Sequence, residues 1–305
     1  MTSQSPPIIF DAQRHAHFRN RAARHFQDYD FLKARVSSQM AERLADTSHD
    51  FELGLDLGCH GGQLAHALLN SDKVQAMLGV DTSPSMSETA QSSGLKATIW
   101  DGATLPFQEG QFDLVASALS LHWVNDLPGV LIQANRLLKP DGLFLAAYFG
   151  AGTLSELREC LMRAETELTG GATPRISPLP GLQDSAALLQ RAGFALPVAD
   201  VDTITVRYDT MFNLIEDLRG MGEQAAFAAG GRALSRRILS RAAELYARDF
   251  SDPDGRIRAS FVITWLSGWA PAPGQPKPKR PGSATASLAQ AVGAVEKSAG
   301  EKAGS

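Results

Sequence analysis

The chain predicts an α/β fold built on a doubly wound parallel sheet, and three observations predict it. Short apolar runs recur through residues 53–149. Helical stretches lie between most of them. Each of the first three runs ends at a glycine or an aspartate, as strands do where a parallel sheet opens into a ligand crevice.

The runs are 53–57, 76–80, 96–100, 112–117 and 142–149. Helices are predicted over 63–70, 84–91 and 127–138, the last stopped by Lys139, Pro140, Asp141 and Gly142. Beyond residue 149, Thr153 is placed to cap a helix running to 167, and a second helix spans 184–191. Residues 198–208 alternate as a strand does, and 257–269 are rich in β-branched and aromatic residues. These two strands are predicted to pair antiparallel at the sheet edge. The helices between them, 212–218 and 232–248, form an insert at about 209–250, suited to substrate selection.

The chain has 305 residues, 2 cysteines and a net charge of −4. Two cysteines exclude a disulfide scaffold and a four-cysteine zinc site, and no other metal site is expected. No apolar run approaches the ~20 residues that span a bilayer. The near-neutral balance argues against a nucleic-acid partner. Residues 1–45 are read as a basic helical flap and 46–270 as the main domain. Within residues 1–35, Arg14, Arg19, Arg21, Arg24, Lys33 and Arg35 face only Asp11, Asp28 and Asp30. There is no apolar segment of the kind a secretory signal needs, and a cytoplasmic location is expected. Residues 271–305 carry a dense run of prolines and then Ala, Gly, Ser and Lys, which reads as a disordered tail.

The turn after the first run carries the chemistry. Asp56, Gly58, His60 and Gly62 connect a strand to a helix, and Asp81 ends the next strand. Glycines permit a tight turn and close approach of backbone to ligand. The G-x-G-x-x-G spacing of a pyrophosphate loop is absent, and Asp56 would repel a pyrophosphate. A cationic ligand suits it better, which favours S-adenosylmethionine over NAD. Asp81 is placed to accept from ribose hydroxyls. Asp101, Gly102 and Ala103 follow the third run, where Asp101 can accept from an adenine amino group and the Ala103 N–H can donate to a ring nitrogen.

With these residues the chain resembles the class I S-adenosylmethionine-dependent methyltransferases over about 50–150, with a histidine at 60 where that family usually has glycine. The resemblance implies the seven-stranded fold of that family and adds Thr82, Met86 and Ser117 as cofactor contacts. A closer resemblance covers about 8–270. It is to the methyltransferase-like assembly factors of respiratory complex I, whose mitochondrial member is described as a protein-arginine hydroxylase. Its residues include Ile9-Phe10-Asp11, Arg21-Ala22-Ala23, Asp30-Phe31-Leu32-Lys33, the run from Ser120 through His122 and Trp123 to Pro128, Ile176-Ser177-Pro178 and the run from Glu216 to Glu223. A more distant relative is the enzyme that methyl-esterifies malonyl carrier protein. The resemblance implies an enzyme acting on a protein side chain, arginine among the candidates, with a complex I subunit as partner. Carrier-protein or small-molecule O-methylation, arginine hydroxylation and a binding-only assembly role stand beside it. His122 is the candidate catalytic residue, as a general base; its other reading is a structural imidazole beside Trp123. Residues 8–35 are expected to fold as a flap over the cofactor cleft, with the 14–24 face steering the partner. The oligomeric state is not legible.

Overall fold

In the computed structural model, residues 8–230, 233–276 and Gly293 are described. The chain divides into two units, Met1–Pro271 and Ala272–Ser305. In the second, the Ala272 N–H donates to the Gln275 side chain. From residue 277 on, Gly293 apart, the tail expected from the sequence lies outside the described residues.

Among the described residues of the first unit, seven strands form one sheet. They are β1 (Phe51–Leu57), β2 (Val74–Asp81), β3 (Lys96–Ile99), β4 (Phe112–Ala118), β5 (Leu138–Phe149), β6 (Ala195–Tyr208) and β7 (Ile257–Trp269). Their order is β3-β2-β1-β4-β5-β7-β6. The first five run parallel, while β7 is antiparallel to β5 and to β6. The strand order reverses between β1 and β4. Their carboxyl ends therefore open a crevice there, the place where ligands bind in open α/β sheets.

Alternation along the strands feeds two cores. Leu114 and Ala116 of β4 face one side, with Leu143 and Leu145 of β5. Val115 and Phe144, one residue out of step, face the other. The first side is covered by α2 (Phe31–Ala45), α3 (Gln63–Leu69), α6 (Ser155–Thr169) and α9 (Arg236–Asp249). The second is covered by α5 (Leu127–Leu137) and α7 (Leu182–Arg191). The remaining helices are α1 (Ala12–Ala22), α4 (Pro84–Ser92) and α8 (Met211–Gly220), and a 3-10 segment Ala23–Asp28 joins α1 towards α2.

Three local expectations are corrected. Thr153 does not cap α6. Its hydroxyl donates to the Val262 carbonyl and accepts from the Val262 N–H, both at 3.0 Å, so it extends the edge of β7. Leu154, with φ 54°, starts the helix instead. Residues 139–142 follow the end of α5 at Leu137, but the strand expected from 142 already includes them. They lie inside β5, where Asp141 has φ 66° and the β4–β5 register shifts, so the bend is absorbed as a bulge. The helix expected from 232 begins at Arg236, because Ser235 accepts from the Ile238 N–H as its cap; Gly231 and Arg232 lie outside the described residues.

Candidate functional site: a cofactor-type cleft and an adjoining apolar cavity

The turn between β1 and α3 is shaped by three left-handed residues: Gly58 (φ 79°), His60 (φ 50°) and Gly62 (φ 92°). Gly58 is required twice over. Besides its φ, a Cβ there would come within 2.0 Å of the Ser120 hydroxyl on the neighbouring loop. Asp56 is fully buried beneath the turn. Its Oδ2 accepts from the Ala65 N–H (3.2 Å) in the first turn of α3, and its Oδ1 has no partner among the described residues. Burial pushes its carboxyl up to about 6, against the pull of Lys33.

Asp81 sits at the end of β2 with three donors already around it. Ser83 N–H gives to Oδ1 (2.9 Å), and His60 N–H (2.9 Å) and the Arg19 guanidinium (2.7 Å) give to Oδ2. Arg19 and Asp81 are each 1% exposed. Arg19 comes from α1, so the expected solvent-facing basic surface over 14–24 is corrected. Arg14, Arg21 and Arg24 are exposed, but Arg19 turns inward. Lys33, from α2, is buried as well. Its ammonium donates to the Gly58 carbonyl (3.2 Å) and the Ala118 carbonyl (2.6 Å) and lies 3.1 Å from His60 Nδ1. Burial, then the neighbouring Arg19 and Lys33, hold the His60 ring well below the usual imidazole range.

Other residues expected at the cofactor are committed elsewhere. The Ser117 hydroxyl donates to the Leu57 carbonyl (2.6 Å) and ties β4 to β1. Asp101 accepts from the N–H groups of Ala103 (2.8 Å) and Thr104 (2.9 Å), so the Ala103 donor closes a turn instead of meeting a ring nitrogen. Gly102 (φ 83°) allows that turn, and Thr82 is half-buried beside it. Met86 is covered by Ala22, Ala23 and Phe26 of the N-terminal segment. The void left between Phe26, Lys33, His60 and Phe149 is about 20 Å³. Small-ligand sites run to roughly 300–1,000 Å³. The residue types suit a cationic nucleoside; in this conformation Arg19 already holds Asp81, while Asp56 Oδ1 accepts no hydrogen bond among the described residues.

Past Phe149 lies an open cavity of about 400 Å³. Phe149, Leu157, Leu161 and Phe261 make its apolar wall, and His122, Trp123 and Glu223 its polar end. Glu223 follows α8 in the insert between β6 and β7. Its Oε2 accepts from His122 Nε2 (3.0 Å) and from Trp123 Nε1 (2.7 Å). Burial pushes the Glu223 carboxyl up, but His122, His15 and the Trp123 hydrogen bond outweigh it and hold the group below the ordinary glutamate value. An ionised carboxylate only accepts, so His122 carries its proton on Nε2. Glu223 lines the cavity, and its Oε1 accepts no hydrogen bond among the described residues. Arg175 also lines the cavity, in an ion pair with Glu165. His15 stacks on Trp123 at 4.5 Å, and Phe10 meets the same ring edge-on at 5.2 Å.

His60 and His122 do not meet. Each has its own polar system, the first around Lys33 and the second around Glu223. Glu223 lines both the small void and the large cavity. Glu223, Lys33 and His15 have no assigned role in the sequence, and Arg19 appears there only within the partner-steering 14–24 face. The one available signal was a charged residue closing the Gly220-Met221-Gly222-Glu223 run after an amphipathic helix.

A methyltransferase domain family matches residues 55–146. The solved structure of the YcgJ protein of Bacillus subtilis superposes with a TM-score of 0.54 at 17% identity, over 78% of this chain and 99% of that one. The mouse protein named arginine-hydroxylase NDUFAF5, mitochondrial, is 41% identical over 297 residues, 95% of this chain and 85% of its own length. Its human counterpart is 40% identical, again over 95% and 85%. The malonyl-[acyl-carrier protein] O-methyltransferase of Laribacter hongkongensis is 31% identical over 83% of this chain and 87% of its own. The chain, similar to these proteins along nearly its whole first unit, belongs to the methyltransferase-fold family that includes the arginine hydroxylase NDUFAF5.

Proposed function

We propose that the chain is an enzyme that modifies an arginine side chain of a partner protein; its 41%-identical relative is named an arginine-hydroxylase. The observation that carries this reading is Glu223, an ionised carboxylate with one free oxygen at the end of an apolar cavity. A guanidinium on an aliphatic stem matches both features. The stem lies along apolar walls, and the planar head donates to a fixed carboxylate oxygen. His122 and Trp123 hold that carboxylate in place, so in this reading His122 is a positioning residue.

Hydroxylation, a two-electron oxidation that requires an external oxidant such as dioxygen together with a reductant, is the modification this family membership favours, and methylation is the alternative. S-adenosylmethionine enters the reading only for a conformation in which Arg19 has released Asp81; Asp56, Gly58, His60, Gly62, Asp81 and Met86 are then the residues proposed to surround it. The partner proposed from the sequence resemblance is a subunit of respiratory complex I, and a cytoplasmic location belongs to the same proposal. Among the described residues no helix is long and apolar enough to cross a membrane.

Co-expression of the chain with a candidate complex I subunit, followed by intact-mass and peptide analysis, tests it. One added oxygen on an arginine supports hydroxylation, and one added methylene supports methylation. Glu223→Gln removes the charge but keeps the shape. It should weaken acceptor binding at least tenfold, since hydrogen bonds to charged groups contribute about 1.5–3 kcal/mol. An unmodified partner, or a mark on another residue type, overturns the reading.

A further inference from the structure

We propose that Arg19 and Lys33 are built-in cationic occupants of the cofactor-type cleft, so that an adenosyl sulfonium ligand binds only when residues 12–28 withdraw from Asp81. The inference is independent of the arginine reading above, because it concerns the other side of Phe149.

The acceptors of this cleft select positive charge. Asp56 and Asp81 lie buried within it, and the Gly58 and Ala118 carbonyls point into it. A cationic ligand answers that arrangement. So do an arginine and a lysine from the chain itself, and both are in place. Arg19 meets Asp81 at 2.7 Å with both side chains 1% exposed. Lys33 takes both carbonyls. Arg19 thus pairs with Asp81 directly, and Lys33, held by the two carbonyls, acts on Asp56 through its charge. A ligand cannot reach Asp81 by displacing water, because it must displace a guanidinium.

The segment that carries Arg19 is docked by the Arg19–Asp81 pair itself, by His15 stacked on Trp123 at 4.5 Å and by a small set of contacts with α4. Asn20 Oδ1 accepts from the Ser83 hydroxyl (2.6 Å) and the Ser85 N–H (3.2 Å), which docks α1 on the start of α4. Ala22, Ala23 and Phe26 cover Met86. The 3-10 segment that follows is interrupted at His25, whose φ/ψ of −126° and 18° is non-helical. That break separates α1 from α2. Helix α2 by contrast is rooted in the main core through Leu32, Val36, Met40 and Leu44. Residues 12–28 therefore form a plug that can leave while α2 stays. Lys33, on the part that stays, has a flexible four-carbon stem and needs only a rotamer change.

A plug and a flap behave oppositely. A flap that closes over a ligand slows amide exchange in its own segment, whereas a plug expelled by the ligand speeds it. The test is calorimetric titration of S-adenosylmethionine, and separately of its demethylated product, into the full chain and two variants. Arg19→Ala frees Asp81 directly. Asn20→Ala loosens the docking of α1 without leaving a buried charge unpaired, and so serves if Arg19→Ala fails to fold. Hydrogen exchange of residues 12–28 is followed with and without ligand. We expect the wild-type chain to bind at least tenfold more weakly than a folded variant, and the amides of 12–28 to exchange faster once ligand is bound. Wild-type affinity equal to or tighter than that of both variants overturns the proposal. So does slower exchange on binding. Neither readout uses the arginine acceptor, so its failure and that of the arginine reading are told apart.

Discussion

At the scale of single residues, the molecule keeps several ionisable groups where water does not reach. Asp81 is the clearest. Removing it leaves the Arg19 guanidinium buried without its counter-charge, and breaking a buried pair from one side costs about 3–5 kcal/mol. Asp81→Ala should therefore lower stability by that order in urea unfolding, not merely reduce ligand affinity; a variant as stable as the parent would show that Arg19 reaches solvent. His15 gives a pH signature. Burial, then Arg19, lowers its imidazole to about 3. An unfolded histidine titrates near 6.5, so between about 6.5 and 3 the unfolded chain binds the proton that the folded chain refuses. The resulting stability is whole above about pH 6.5 and is lost as pH falls towards 3. Asp56 acts with the opposite sign, because its folded value is raised to about 6. It costs stability as pH rises from about 4 to 6. His15→Phe, which keeps the ring against Trp123, should flatten the acid limb of a stability–pH curve, while Asp56→Asn should steepen the net rise with pH. Unfolding measured at intervals from pH 4 to 8 separates the two, and unchanged curves would deny both assignments.

At the scale of elements, local patterns were legible and distant pairings were not. The strand at 257–269 is found at Ile257–Trp269, because β-branched and aromatic residues mark it without help from elsewhere. The glycine turn is legible for the same reason: left-handed positions at 58 and 62 are a property of the chain itself. Thr153 misleads because its hydroxyl finds Val262, far along the chain, before it finds a helix N–H. Arg19 reads as one more surface arginine, since Asp81 lies 62 residues away and nothing local aims the side chain inward. Only the sheet brings them together. The N-terminal segment shows how two helices in sequence differ in role. Helix α2 buries Leu32, Val36, Met40 and Leu44 almost completely. Burying four such side chains contributes about 6–12 kcal/mol, comparable with the 5–15 kcal/mol that holds a whole domain together. Helix α1 carries Arg19 but contributes little to that core. Deleting residues 1–29 should thus lower the melting temperature yet leave one cooperative transition. Deleting 1–45 should abolish it. Thermal unfolding of the two truncations decides, and equal effects would mean that both helices belong to one structural unit.

At the scale of the whole first unit, the N-terminal segment, the sheet and the insert meet at one point. Arg19 arrives from α1, Asp81 from β2, and Gly222 from the chain after α8. Gly222 has φ 80°, and a Cβ added there would lie 3.1 Å from Arg19 Cδ and 3.4 Å from Arg19 Cα. Its neighbour Glu223 lines the apolar cavity and, with Phe149, also the small void beside His60, so the two spaces share these side chains. Pressure on Gly222 should be felt on both sides. Gly222→Ala carries a conformational cost of about 1–2 kcal/mol for a left-handed alanine. It carries a second cost because Arg19 and its helix must move by a few tenths of an ångström. Gly170→Ala is the control: Gly170 has φ 77° with nothing within 4 Å, so it carries the conformational cost alone. The difference in urea-unfolding free energy between the two variants isolates the contact with α1. We expect Gly222→Ala to lose more stability than Gly170→Ala, to speed exchange in residues 12–28 and to shift the fluorescence of Trp123, which shares the Glu223 carboxylate with His122. Equal losses, with Trp123 and the segment undisturbed, would mean that the two sites are neighbours without being coupled.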